Sequence, residues 1–66
     1  MNFNKLKGKI VERQLTYQQC ADAIEISTAS FSNKMNGSKR FWYDEISKLS
    51  DLLDLSNDEK IDIFLS

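Results

Sequence analysis

Thr28, Ala29, Ser32 and Asn33 carry the most specific chemistry in this chain, because a helical pattern puts all four on one side. Phe31 and Met35, four residues apart, take the other side. The Asn33 amide offers a donor and an acceptor together, the hydroxyls do both jobs, and the methyl groups of Thr28 and Ala29 add apolar contact. That is equipment for recognition. Taken alone, such a face reads first as an ordinary solvated surface; the caps and the turn that flank it set it apart.

Nothing comparable points to catalysis. Histidine and proline are absent, and no CxxC, HExxH, GxSxG or phosphate-loop pattern occurs. The carboxylate pairs Asp44/Glu45 and Asp58/Glu59 could serve as acid and base, but both fall in first turns of predicted helices, where they complement the helix dipole. No nucleophile or metal-ligating cluster accompanies them, so the chain reads as a non-enzyme without cofactor or metal. The single cysteine, Cys20, cannot form an intrachain disulfide and sits on an inward helical face as a small hydrophobe.

The elements that would position the recognition face lie in LTYQQCADAIEISTASFSNKMNG, residues 15–37, where two short helical patterns are separated only by Glu25, Ile26 and Ser27. That spacing suggests a helix-turn-helix. Thr16 and Gln19 form a T-x-x-Q capping box at the start of the first, which turns Cys20, Ala21 and Ile24 inward. Ser27 caps the second, and Asn36 and Gly37 offer it a left-handed stop. Helices this short need each other and a third to be stable.

Around them, Asn2 or Asn4 caps a helix running to about Arg13 with Phe3, Leu6 and Ile10 inward; Gly8 weakens it by about 1 kcal/mol. Lys5, Lys7 and Lys9 fall on different faces and read as solvated. A polar, basic loop from Ser38 to Arg40 precedes Phe41, Trp42 and Tyr43, which lead into a fourth helix with Ile46, Leu49, Leu52 and Leu53 inward. Leu55 closes that stretch. Ser56 and Glu59 form a second capping box, opening a last helix with apolar Ile61, Phe64 and Leu65. No segment alternates as a strand would. The expectation is an all-α, five-helix single domain over residues 1–66.

A core this small supplies about 3 to 5 kcal/mol unless its helices pack efficiently or chains associate. The longest apolar stretch is well short of the roughly 18 residues a membrane helix needs, and the N-terminus lacks the apolar run of a secretion signal. A soluble, cytoplasmic protein with no membrane partner and no small-molecule substrate is expected. The net charge of −1 conceals an asymmetry. Residues 1–40 carry Lys5, Lys7, Lys9, Arg13, Lys34, Lys39 and Arg40 against Glu12, Asp22 and Glu25, a net +4; residues 41–66 are −5. A polyanion would meet the first half, and weakly, so affinity would rest on a few placed contacts.

Residues 15–37 resemble the Cro and CI-type (XRE-like) helix-turn-helix repressors of bacteriophages, whose pattern is roughly L-T-Q-x-x-L-A-x-x-L-G-I-S-x-x-T-I-S-x-x-x-N-G. Leu15, Thr16, Ala21, Ile26, Ser27, Ser32, Asn36 and Gly37 match, with apolar or hydroxyl equivalents at Cys20, Ile24, Ser30 and Phe31. FWYDEISKLSDLLDLS looks like the family's fourth helix and its ending. Two departures stand out: Glu25 replaces a frequent turn glycine, at a cost on the order of 1 kcal/mol, and Tyr17 replaces a frequent phosphate-binding glutamine.

The resemblance implies a lambda-repressor-like domain and a phage or prophage transcriptional regulator in the cytoplasm of a bacterial host. Its third helix would lie in the major groove of a double-stranded DNA operator, with Thr28, Ala29, Ser32 and Asn33 at base edges. Tyr17, Gln18, Lys34, Asn36, Ser38, Lys39 and Arg40 would hold phosphates. Trp42, at the N-cap of the fourth helix, fits either core packing or a partner surface. Ile61, Ile63, Phe64 and Leu65 are too many apolar groups for one inward stripe; either all of them close the core, or those left outside, from a patch of Trp42, Ile63, Phe64 and Leu65, meet a second copy. The alternative is an antirepressor of the same fold that grips a phage repressor protein through Trp42, Phe64 and the acidic half.

Overall fold

Helix starts in this chain follow from side-chain oxygens set where backbone N–H groups would otherwise lack partners. In a computed structural model, which describes residues 1–65, five helices run in the order α1 (Phe3–Glu12), α2 (Tyr17–Ala23), α3 (Thr28–Met35), α4 (Tyr43–Leu52) and α5 (Asn57–Phe64), with no strand among the described residues. Asn2 accepts from the Lys5 N–H at 3.1 Å, and Ser27 from the Ser30 N–H at 3.1 Å. Thr16 and Gln19 exchange bonds of 3.1 and 2.9 Å, and Ser56 and Glu59 bonds of 3.2 and 2.9 Å, completing both expected capping boxes. The start of α4 differs: Trp42 has no side-chain acceptor to give, so only the reverse bond forms, from the Trp42 N–H to Glu45 Oε1 at 2.8 Å.

The first four helices all stop in the same way. A left-handed residue follows each cap: Gln14 at φ 57°, Glu25 at 64°, Gly37 at 85° and Asp54 at 52°. Beyond it the next N–H reaches back to the helix, from Leu15 to the Ile10 carbonyl (3.1 Å), Ile26 to Ala21 (3.0 Å), Ser38 to Asn33 (2.9 Å) and Leu55 to Ser50 (3.0 Å). These are Schellman closures, and three of the four place an L-residue where only glycine is free of strain. Leu15, Ile26 and Leu55, the residues after those three, turn their side chains back toward the core. Ser38 has nothing apolar to return, and its side chain and those of Lys39 and Arg40 stay exposed.

The core gathers Leu6 and Ile10 of α1, Cys20 and Ala21 of α2 with Ile24, Phe31 and Met35 of α3, Phe41, Leu49, Leu53, Leu55 and Ile63. α3 packs on α2, α2 also on α4, and α1 on α5. Ile63 is fully buried, which corrects its assignment to a partner surface; Ile61 and Leu65 are the outward pair, and Phe64 is half-buried. Contacts to α1 set that rotation. The Asn2 N–H donates to the Ile63 carbonyl at 2.7 Å, Lys5 pairs with Asp62 at 2.8 Å, and Lys9 pairs with Glu59. Arg13 likewise donates to the Leu53 carbonyl at 3.1 Å and stands 3.8 Å from Asp54. No helix among the described residues is long and apolar enough to cross a membrane.

Two outcomes are expected. Gln14→Gly should stabilise the fold by about 1 kcal/mol in urea unfolding, because glycine relieves the left-handed strain at an exposed position. The second concerns acid. The Lys9 ammonium, and then the Ser56 N–H, hold the Glu59 carboxyl at about 2, below its usual 4.5. A carboxyl lowered on folding contributes stability that is complete above its unfolded value and is lost as pH falls toward the folded one. Stability should therefore decline between about pH 5 and pH 2, and Glu59→Gln should flatten that decline.

Candidate functional site

The two sides of α3 separate as helical spacing predicts. Phe31 and Met35 are buried, whereas Thr28, Ala29 and Ser32 are exposed and Asn33 is half-exposed. Tyr17, the first residue of α2, lays its ring edge-on against Phe31 at a centroid distance of 5.2 Å, and Phe41 meets the same ring at 5.9 Å. Gln18 beside it is exposed. The segment after α3 folds against that helix: the Asn33 carbonyl accepts from the Ser38 and Lys39 N–H groups at 2.9 and 3.3 Å, and Asn36 Oδ1 accepts from Ser38 at 3.3 Å. Asn36, Ser38, Lys39 and Arg40 are all exposed on this short loop.

Lys34 leaves the expected phosphate set. It is only 6% exposed, and its Nζ pairs with Glu45 Oε1 at 2.7 Å and donates to the Arg40 carbonyl at 3.2 Å, lying 5.9 Å from the Phe41 ring centroid. The physical reason is position: Lys34 stands three residues after Phe31 and so belongs to the inward row of α3. Glu45 is itself 7% exposed and uses one oxygen, Oε1, for both Lys34 and the Trp42 N–H. Sequence reasoning read Glu45 only as a complement to the helix dipole. An inward lysine on one helix and an acid in the first turn of the next was the signal to follow.

Trp42 lies outside the core at 69% exposure, which leaves it available to a partner. Tyr43, at 87%, is a further exposed aromatic that the sequence reading passed over. With Ile46, Ile61, Phe64 and Leu65 it lines a groove between α4 and α5. Cys20 is buried, and desolvation pushes its thiol pKa up, away from the reactive thiolate. Lys7 is exposed, as expected of a solvated lysine, and shares a crevice with Tyr17, Ser32, Met35 and Asn36.

Fold and surface together define an all-α protein of five short helices, whose third helix shows an uncharged polar face beside a basic loop. The chain belongs to the family described as Protein of unknown function (DUF739), which matches residues 1–66. No curated protein and no solved structure matches it.

Lys34→Met should cost about 3 kcal/mol, since it strands the Glu45 charge in a buried position. Lys34→Met combined with Glu45→Leu should recover much of that loss. A double-mutant cycle in urea measures the coupling.

Proposed function

We propose that this protein is a sequence-specific DNA-binding transcriptional regulator of Cro or CI type, working on a double-stranded operator in the cytoplasm of a bacterial host. In this reading α2 and α3, joined through the left-handed Glu25, are its helix-turn-helix within a lambda-repressor-like domain. α3 enters the major groove. The observation that carries the proposal is the ridge of Thr28, Ala29, Ser32 and Asn33 facing outward from a buried Phe31 and Met35, next to exposed Lys39 and Arg40. Asn33 supplies a bidentate partner for adenine, and the methyl groups of Thr28 and Ala29 pack on thymine methyl groups, so A·T-containing steps are favoured. Tyr17, Gln18, Asn36, Ser38, Lys39 and Arg40 fix register on phosphates.

One short helix reads few base pairs, so two copies on half-sites about one DNA turn apart give the working complex. The exposed apolar groups Trp42, Ile61 and Leu65 support an interface between them. The same groups support the second reading, an antirepressor that binds a phage repressor protein. So does the pairing of Lys5, Lys9 and Arg13 with acids of the C-terminal half, which reduces the field available to DNA.

Selection of binding sites from a random duplex pool separates the two. Asn33→Ala should relax base preference at one position, whereas Lys39→Ala should weaken all sequences alike and lower the salt slope by about one unit. Salt-tolerant, stoichiometric capture of a repressor protein, with no duplex retained, would replace the operator reading with the antirepressor.

A further inference from the structure

Four basic side chains have no acidic partner among the described residues: Lys7, Lys39, Arg40 and Lys60. Lys39 and Arg40 sit on the loop after α3, and Lys60 lines the groove between α4 and α5. Lys7 is the unexpected one. On α1 its neighbours Lys5 and Lys9 both turn to carboxylates of α5. Two residues along a helix is a rotation of roughly 200°, so Lys7 faces away from that acidic seam.

The crevice it faces is built from three helices. Lys7 comes from α1, Tyr17 from the start of α2, Ser32 and Met35 from α3, and Asn36 from its C-cap. The polar groups these residues carry are an ammonium, a phenol, a hydroxyl and an amide. Each of them can donate a hydrogen bond, and no carboxylate lines the crevice. Tyr17 is restrained by its edge contact with the buried Phe31, so its ring has a defined direction. A crevice with available donors, one unneutralised cation and no acid suits an oxyanion.

We propose that this crevice is a seat for a phosphate oxyanion, completed by the Lys7 ammonium, and that its source is a backbone phosphodiester of DNA lying along α3. The second half of that statement rests on the operator reading above. It extends the contact surface from the α2–α3 unit to α1, so that one phosphate is gripped by three helices. Lys7 contributes charge there, while Tyr17 and Asn36 contribute direction and Ser32 stays with the base-reading ridge.

The test compares the intact protein, Lys7→Gln and Lys60→Gln on a short mixed-sequence duplex, by fluorescence anisotropy across a salt series; phosphate contacts do not depend on base sequence. Lys7→Gln should bind several-fold more weakly and lower the salt slope by about one unit, with an unchanged melting temperature. Lys60→Gln should leave the slope as it was. An unchanged slope for Lys7→Gln, while Lys39→Ala still lowers it, overturns the seat and leaves the operator reading standing. If the intact protein binds no duplex, the DNA source is refuted. Titration with inorganic phosphate then decides the seat alone: amide NMR shifts at Tyr17, Ser32 and Asn36 that vanish in Lys7→Gln support it, and unmoved amides overturn it.

Discussion

The burial of Phe31, held edge-on between Tyr17 and Phe41, is the constraint on which the rest of this small fold depends. α3 has eight residues and could not persist as an isolated helix. Its inward row of Phe31, Lys34 and Met35 anchors it, and the rotation so imposed sends Thr28, Ala29 and Ser32 to the opposite side. Because a charge falls within that inward row, a counter-charge has to follow it. Glu45 supplies one, and in doing so ties the Arg40 carbonyl and the Trp42 N–H to the same point. Apolar burial therefore aims the helix, and the ion pair fixes where the basic loop leaves it. A well-packed apolar pair of similar volume would serve stability as well; what Lys34 and Glu45 add is the attachment of the loop.

Much of the architecture was legible in the sequence because capping is local. Thr16 with Gln19, Ser56 with Glu59, and Ser27 each announce a helix start through bonds spanning three residues. The stops were harder. Asn36-Gly37 signals a left-handed end openly, and Glu25 was placed by its surroundings, but glutamine at position 14 carries no preference for that conformation. It is held there by the return of Leu15 to the core, a tertiary effect. Ile63 shows the same limit. With Ile61, Ile63, Phe64 and Leu65 crowded together, periodicity cannot choose the inward residue, and the distant contacts of α1 choose it. Lys34 was misread for the opposite reason: residue type argued for the surface while spacing argued for the interior.

Electrostatics crosses the chain in a way that counting charges by halves does not capture. The positive first half and negative second half meet along α1, where Lys5, Lys9 and Arg13 find Asp62, Glu59 and Asp54. Lys48 and Glu25, 2.7 Å apart, join α4 to the turn before α3. Exposed pairs of this kind contribute little stability individually. Their larger effect is to remove most cations from the outward field, which leaves recognition to the few that stay unpaired.

The left-handed closures also bear on how quickly the molecule assembles. Each returns the chain on itself within a few residues, so that α2 meets α3 almost as soon as both exist, and a topology of such low contact order folds in roughly microseconds to milliseconds. With no proline in the sequence, slow imide isomerisation has no part in the process. The largest loop-closure entropy falls on the seam that brings Asn2 to Ile63. The entropic cost of closing the fold therefore falls on its two ends, at a seam distinct from the helix that would do the reading.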